Sequence, residues 1–196
     1  MSKLLDPVAL DQLFRTARTY NGYLDMLVTD DQLDQIWELM KFGPTSANCL
    51  PARLVWVKSP AAKQKLANLC MPANATKVMS APVTVIIGMD GEFYEQLPDL
   101  MPHVDARAWF KDAPELAATT AFRNSSLQGA YLIMAARAIG LDTGPMSGFS
   151  NEAVDAAFFA GTKVTSNFIS TLGYGDPATI FARSPRPAFD RFNSIV

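Results

Sequence analysis

The chain has 196 residues, 49% of them hydrophobic and only 18% charged, against about 25% charged in ordinary soluble domains, and its net charge is −2 at pH 7. With no Lys/Arg block in it, this balance argues against nucleic acid or an anionic membrane as a partner, and the apolar surplus favours a buried subunit interface, a cofactor pocket, or both. Apolar runs fall short of the ~18 residues of a membrane span and the polar N-terminus has no signal-peptide pattern, so a cytoplasmic globular protein with one domain over residues 1–196 is expected.

Asp6-Pro7 supplies an N-cap and a first-turn proline, and Leu10, Leu13, Phe14 and Ala17 follow at helical spacing. Thr29 with Gln32 forms a capping box for a second helix carrying Leu33, Ile36, Trp37 and Met40 on one face. That helix stops at Gly43, where Gly43-Pro44-Thr45-Ser46-Ala47-Asn48 sets hydroxyl and amide groups on a short, stiff connection: a polar turn or one wall of a ligand site. Leu54–Lys58 reads as a strand, Ser59-Pro60 opens a short helix, and Ala81–Met89 reads as a strand buried on both faces. Residues 90–113 read as a structured irregular loop. Thr119–Ile139 is a long helix with Leu127, Ala130, Tyr131, Ile133, Met134 and Ala138 spread over several faces. Asn151–Phe159 is another helix and Val164–Tyr174 a last strand. The pattern is α+β, a small sheet, largely antiparallel or mixed, wrapped by helices.

The absent motifs narrow the chemistry. No strand leads into a G-x-G-x-x-G turn and there is no Walker A loop, which disfavours Rossmann and P-loop sites. A single histidine, His103, argues against His-rich metal sites and a Ser-His-Asp triad, so no metal is expected. Cys49 and Cys70 lie in no metal-ligand spacing and read as buried free thiols of a reducing compartment. An enzyme of this composition would rely on a bound organic cofactor.

Five segments carry a resemblance: Ala17–Tyr23 (ARTYNGY), Gly43–Asn48 (GPTSAN), Asn74–Lys77 (NATK), Gly144–Phe149 (GPMSGF) and Leu172–Gly175 (LGYG). Their order, completed by a basic tail from Arg183 to Arg186, resembles that of FMN-dependent nitroreductases over almost the whole chain. Within that superfamily the Pro44–Cys49, Thr120–Ser126 and Gly140–Phe149 stretches look like the malonic semialdehyde reductase branch of bacterial pyrimidine degradation. The resemblance implies a nitroreductase-like α+β fold, with a mixed or antiparallel central sheet. It also implies a homodimer with shared active sites and the long helix buried in it.

FMN is the implied cofactor, with NADPH or NADH as hydride donor. Arg18 and Thr19 match the early phosphate-binding motif, with Ala17 where the family often has a second arginine, and Arg183 and Arg186 match the C-terminal half of the phosphate grip. Asn21 falls near the ring or ribityl chain. Asn74 and Lys77 match residues at the ring's polar edge, and Pro145, Met146, Ser147 and Gly148 match the stretch whose backbone passes N5. Ser147 stands where many relatives are acidic. Pro44, Thr45 and Ser46 would approach the flavin from the neighbouring subunit, supported by Asn48. The implied reaction carries hydride through flavin N5 to a small aldehyde, converting malonic semialdehyde into 3-hydroxypropionate. Arg107 as carboxylate clamp, His103 as proton donor and Trp109 are the candidate substrate residues. Two other functions fit the same residues: a broad reductase of nitroaromatics, quinones or enones, and a flavin-binding protein without turnover.

Overall fold

The structure is a computed structural model that describes residues 3–196. Helix α1 (Pro7–Leu10) is capped by Asp6, whose carboxylate accepts the Val8 N–H at 2.8 Å, and it runs into a π-helical stretch over Asp11–Arg15. The regular helical spacing expected through Phe14 and Ala17 is therefore interrupted at Asp11, and Phe14 points to solvent. Helix α2 (Asp30–Met40) begins at the expected capping box, with Thr29 and Gln32 satisfying each other's backbone N–H. Its buried face is Leu33, Ile36 and Met40. Trp37 is a correction: one residue on from Ile36 it turns about 100° away from the core stripe and is 39% exposed.

Strand β1 (Ala52–Val57), helix α3 (Pro60–Ala67), helix α4 (Pro72–Ser80) and strand β2 (Val83–Asp90) follow. Residues 91–113 are less irregular than their sequence suggested. They contain a 3-10 turn at Phe93–Gln96, a short helix α5 (Leu97–Leu100) and a 3-10 turn at Ala106–Trp109. Phe93 and Phe110 meet edge to face at 5.0 Å and, with Leu97, Ala106 and Cys49, form a small core against Ala117 and Ala121. Helix α6 (Pro114–Ala138) starts five residues before the expected Thr119, because Pro114 occupies its first turn. Strand β3 (Asp142–Met146), helix α7 (Asn151–Phe158), strand β4 (Val164–Gly173) and a short α8 (Phe189–Phe192) complete the order.

The four strands form one sheet in the order β1-β2-β4-β3, every neighbour antiparallel. Strand β2 is central and buried on both faces, as its unbroken apolar run requires. Val83, Val85 and Ile87 face α2 and the inner side of α6, while Ile86 faces the opposite layer with Leu66, Val78 and Val154 of α3, α4 and α7. Alternation along one strand thus anchors both helical layers.

The inner face of α6 is made mostly of small and polar residues, Ala121, Asn124, Ser125, Gln128, Gly129 and Ala136, with Leu132 as its large apolar group. A Cβ on Gly129 would lie 2.4 Å from the Phe168 ring, so the helix approaches the sheet closely only because that position is glycine. Other large apolar groups of the helix point outward. Phe122, Leu127 and Tyr131 are 56%, 44% and 41% exposed within this chain, so the helix expected to be apolar on several faces carries an outward apolar face as well.

Candidate functional site

The chain's ends meet over the edge strand β3. Thr19 forms an isolated parallel bridge with Thr143, the Tyr20 N–H donates to the Thr143 carbonyl at 3.3 Å, and Tyr23 pairs with Gly175 just after β4. Gly144 is needed for that approach, since a Cβ there would sit 2.4 Å from Thr171 Oγ1 and 2.9 Å from the Tyr20 carbonyl. The residue 17–23 segment therefore lies along β3, and the tail beyond β4 folds back over it. Asn21 Nδ2 donates to the Thr179 carbonyl at 3.0 Å, Arg183 Nη2 donates to the Ala17 carbonyl at 2.8 Å, and Arg18 Nη2 donates to the Phe181 carbonyl.

This folding-back builds a cavity of about 420 Å³ lined by Arg18, Thr19, Asn21, Arg183 and Arg186, the residues singled out in sequence for a phosphate grip and its neighbourhood. The same cavity is lined by Arg137, from the last turn of α6, which the sequence reading missed. Its only local signal was a cation at a helix C-terminus, a position the helix dipole explains without a ligand. Arg137 Nη1 donates to the Leu13 carbonyl at 2.9 Å, and its Nε is sealed from solvent without a partner among the described residues. Burial pushes the Arg137 pKa down, nearby Asp142 opposes that shift, and Arg183 adds to it. No carboxylate among the described residues lines the cavity. Its charge and fork-shaped donors fit a phosphate-sized dianion.

At the other end of β3 the chain meets α4. Asn74 Nδ2 donates to the Gly148 carbonyl at 3.1 Å, and the Met71 N–H donates to the same oxygen at 2.9 Å. Lys77 follows one turn later in α4 and makes no ion pair among the described residues. Pro145 and Ser147 are exposed, whereas Met146 packs against the apolar layer beneath. From Thr143 to Gly148 the backbone spans up to roughly 17 Å at about 3.3 Å per residue. The edge strand thus lies between the arginine cavity and the Asn74–Gly148 contact. Neither β3 nor α4 was anticipated as an element. Asp142–Met146 is five residues containing both Gly and Pro, and proline is tolerated only because this strand is at the sheet edge.

The Pro44–Asn48 turn lies elsewhere in the chain. Its Ser46 N–H donates to Asn124 Oδ1 at 2.8 Å, and Asn124 Nδ2 donates to the Thr120 carbonyl at 2.8 Å, fastening the turn to α6. Asn48 Nδ2 donates to the Leu100 carbonyl at 2.7 Å. Ala47, Asn48 and Leu50 all have positive φ (53°, 51° and 36°), a costly backbone path for non-glycine residues. Thr45, Ser46 and Asn48 are held in place, but no residue of this turn lines the arginine cavity.

His103 and Arg107 line a separate groove of about 430 Å³, which shares no residue with the arginine cavity, and Trp109 is not among its lining residues. Arg107 is not a free clamp: its Nε and Nη2 donate to the two Glu95 carboxylate oxygens at 2.7 and 2.8 Å. This pairing raises the Arg107 pKa and holds the Glu95 carboxyl below the usual range. Cys49 is buried and Cys70 half-buried, both unpaired, as expected for packing thiols.

Residues 15–174 match the nitroreductase family, and the chain belongs to it. It is 61% identical over 186 residues, 95% of either chain, to a Burkholderia lata protein bearing the provisional name NADH dehydrogenase/NAD(P)H nitroreductase. A Ralstonia pickettii protein provisionally named NADH dehydrogenase/NAD(P)H nitroreductase HadB is 61% identical over 188 residues, 94% of this chain and 95% of that one. Among solved structures, a nitroreductase from Exiguobacterium sibiricum in complex with FMN superposes with a TM-score of 0.87 at 20% identity, covering 100% of this chain and 99% of that one, which establishes the shared fold. No helix among the described residues is long and apolar enough to cross a membrane.

Proposed function

We propose that this chain is an NAD(P)H-dependent oxidoreductase that works through bound FMN, with broad acceptance of quinones, nitroaromatics and enones. The observation that carries this reading is the arginine cavity joined by one edge strand to the Asn74–Gly148 contact. A cofactor with a phosphate at one end and a flat ring at the other matches that division. Arg18, Thr19, Arg183 and Arg186 would hold the phosphate and Asn21 the linking chain. Asn74 and Lys77 would hold the polar edge of the ring, with the Pro145–Gly148 backbone alongside it. Bound FMN supplies the centre that accepts hydride from NADPH or NADH and passes it to an oxidised substrate. Lys77 contributes a positive charge that favours the electron-rich form.

The outward apolar face of α6, together with the Ser46 turn fastened to that same helix by Asn124, supports a homodimer in which each turn completes the partner's site. A second reading, reduction of malonic semialdehyde, is favoured by His103 and Arg107 lining one groove. It requires a cation for the substrate carboxylate, and the Arg107 fork is engaged by Glu95. The broad reading needs no such cation.

The test is anaerobic mixing of the FMN-loaded protein with NADPH and with NADH. Loss of the visible oxidised-flavin band with either donor is expected. A flavin that stays oxidised with both would leave a binding protein without turnover and sink the reductase reading. Steady-state rates with a quinone, a nitrofuran and malonic semialdehyde then decide between the two substrate readings.

A further inference from the structure

Arg137 stands apart from the other arginines of the cavity. Arg18, Arg183 and Arg186 reach it from the segments that fold over β3, and each has a guanidinium nitrogen on a backbone carbonyl. Arg137 comes instead from α6, beneath the cavity. Its Nη1 is fixed by the Leu13 carbonyl, and its Nε is enclosed without an acceptor. A polar donor sealed from water and left unpaired is destabilising, and more so on a charged group. Asp142, whose charge acts on Arg137, forms no ion pair with it among the described residues and uses Oδ2 to accept the Gly175 N–H at 3.0 Å. The cavity that Arg137 lines also holds Arg18, Arg183 and Arg186, so four guanidinium groups gather there.

We propose that Arg137 is an anion-binding residue of this cavity, joining Arg18, Arg183 and Arg186 around a phosphate dianion. The competing structural account makes Arg137 a helix-terminal cation anchored on Leu13. That account explains Nη1 but not why four arginines and no carboxylate are found among the cavity's lining residues. With a phosphate bound, the guanidinium gains the counter-charge it lacks, and discrimination follows: a ligand with a terminal phosphate is held, and the same ligand without it is not. The identity of the phosphate carrier rests on the FMN reading above. The role of Arg137 as an anion ligand does not.

Binding of FMN and of riboflavin by flavin fluorescence, and the Tm shift induced by inorganic phosphate, should be measured on the wild type, Arg137→Gln and Arg137→Lys. Gln keeps a donor for the Leu13 carbonyl and removes the charge; Lys keeps the charge without the fork. The expected result is a preference for FMN over riboflavin that falls by at least about tenfold in Arg137→Gln and is partly retained in Arg137→Lys, with riboflavin binding unchanged. An FMN-to-riboflavin preference in Arg137→Gln equal to the wild type's would overturn the proposal. Should the wild type bind no FMN at all, the cofactor reading fails separately, and the phosphate arm decides: a Tm rise in the wild type that is absent in Arg137→Gln supports the anion role, and equal shifts, or none in the wild type, refute it. If Arg137→Gln does not fold, Arg137→Lys is read alone, and full wild-type preference in it refutes a need for the guanidinium fork.

Discussion

Arg18 and Arg183 hold each other's stretch of chain: Arg18 donates to the carbonyl of Phe181, and Arg183 donates to the carbonyl of Ala17 at 2.8 Å. The residues are 165 positions apart in sequence, and the exchange closes the cavity that both line. Each guanidinium spends one nitrogen on the backbone and keeps others for a ligand, so the same side chains build the wall and supply its charge.

Arg186 contributes charge without building the wall, because it donates only to the neighbouring Ser184 and Pro185 carbonyls, at 3.0 and 3.2 Å. Arg186→Ala should therefore weaken FMN retention by about tenfold while leaving Tm and the rate of reduction by NADPH close to wild type. Arg183→Ala should weaken retention as well and, in addition, speed proteolytic cleavage of the tail near Phe181. Equal FMN dissociation constants in wild type and Arg186→Ala would remove Arg186 from the phosphate site.

Gly148 tests the other end of the groove. A Cβ there would come within 2.6 Å of Asn74 Nδ2 and 3.1 Å of Met71 Sδ, so Gly148→Ala must displace the amide that donates to the residue's own carbonyl. A loss of about 1–2 kcal/mol in stability is expected from the contact and the hydrogen bond together. A larger effect is expected on the flavin: altered absorption and slower turnover with any acceptor. Chemical denaturation beside the visible spectrum checks both, and an unperturbed spectrum would place Gly148 away from the ring.

The elements most legible in sequence were those whose signal is local. The Thr29–Gln32 capping box and the unbroken apolar run of β2 each act within a few residues and were found where expected. β3 escaped because an edge strand of the sequence Asp-Thr-Gly-Pro-Met has no alternation to detect and exists only by pairing with β4. The inner face of α6 escaped for a related reason. Periodicity counts apolar residues, but close packing on the sheet selected Gly129 and Ala136 for the inside and left Tyr131 outside. In the site, Arg18 and Arg183 were recognisable from motif order. Arg137 was not, because only the return of the chain ends across α6 brings it into the lining of that cavity.

Cys49 gives a pH-dependent prediction. Burial pushes its thiol up to about 11 from an ordinary 9.0, against the pull of a hydrogen bond with Thr45. In the unfolded chain the thiol ionises first, so the native state retains a proton that the unfolded state loses. The contribution is fully present below pH 9 and is lost progressively between pH 9 and 11, by about 3 kcal/mol in all. Urea denaturation across that range should show a decline that is shallower in Cys49→Ala. The thiol should also resist alkylation at pH 8 until the protein unfolds. Fast alkylation of the native protein would contradict the burial argument.

Arg107 separates the two substrate readings. Its fork is on Glu95, whose carboxyl is depressed first by that hydrogen bond and further by the Arg107 and Lys111 charges. A carboxyl with a lowered pKa keeps its partner above its ordinary value and releases it only as the pH falls through the depressed one, so at neutral pH Arg107 stays engaged. Both groups are at the surface, where such a pair contributes little to stability. Arg107→Ala should then leave kcat/KM for a quinone within about twofold of wild type, with malonic semialdehyde affected no more than the quinone. The complementary variant, Glu95→Gln, loosens the fork at unchanged size and should give no gain in affinity for the carboxylate-bearing aldehyde. A selective rise in KM for malonic semialdehyde in Arg107→Ala, matched by a fall in Glu95→Gln, would instead make Arg107 the substrate's cation and Glu95 its resting partner, and the aldehyde reading would displace the broad one.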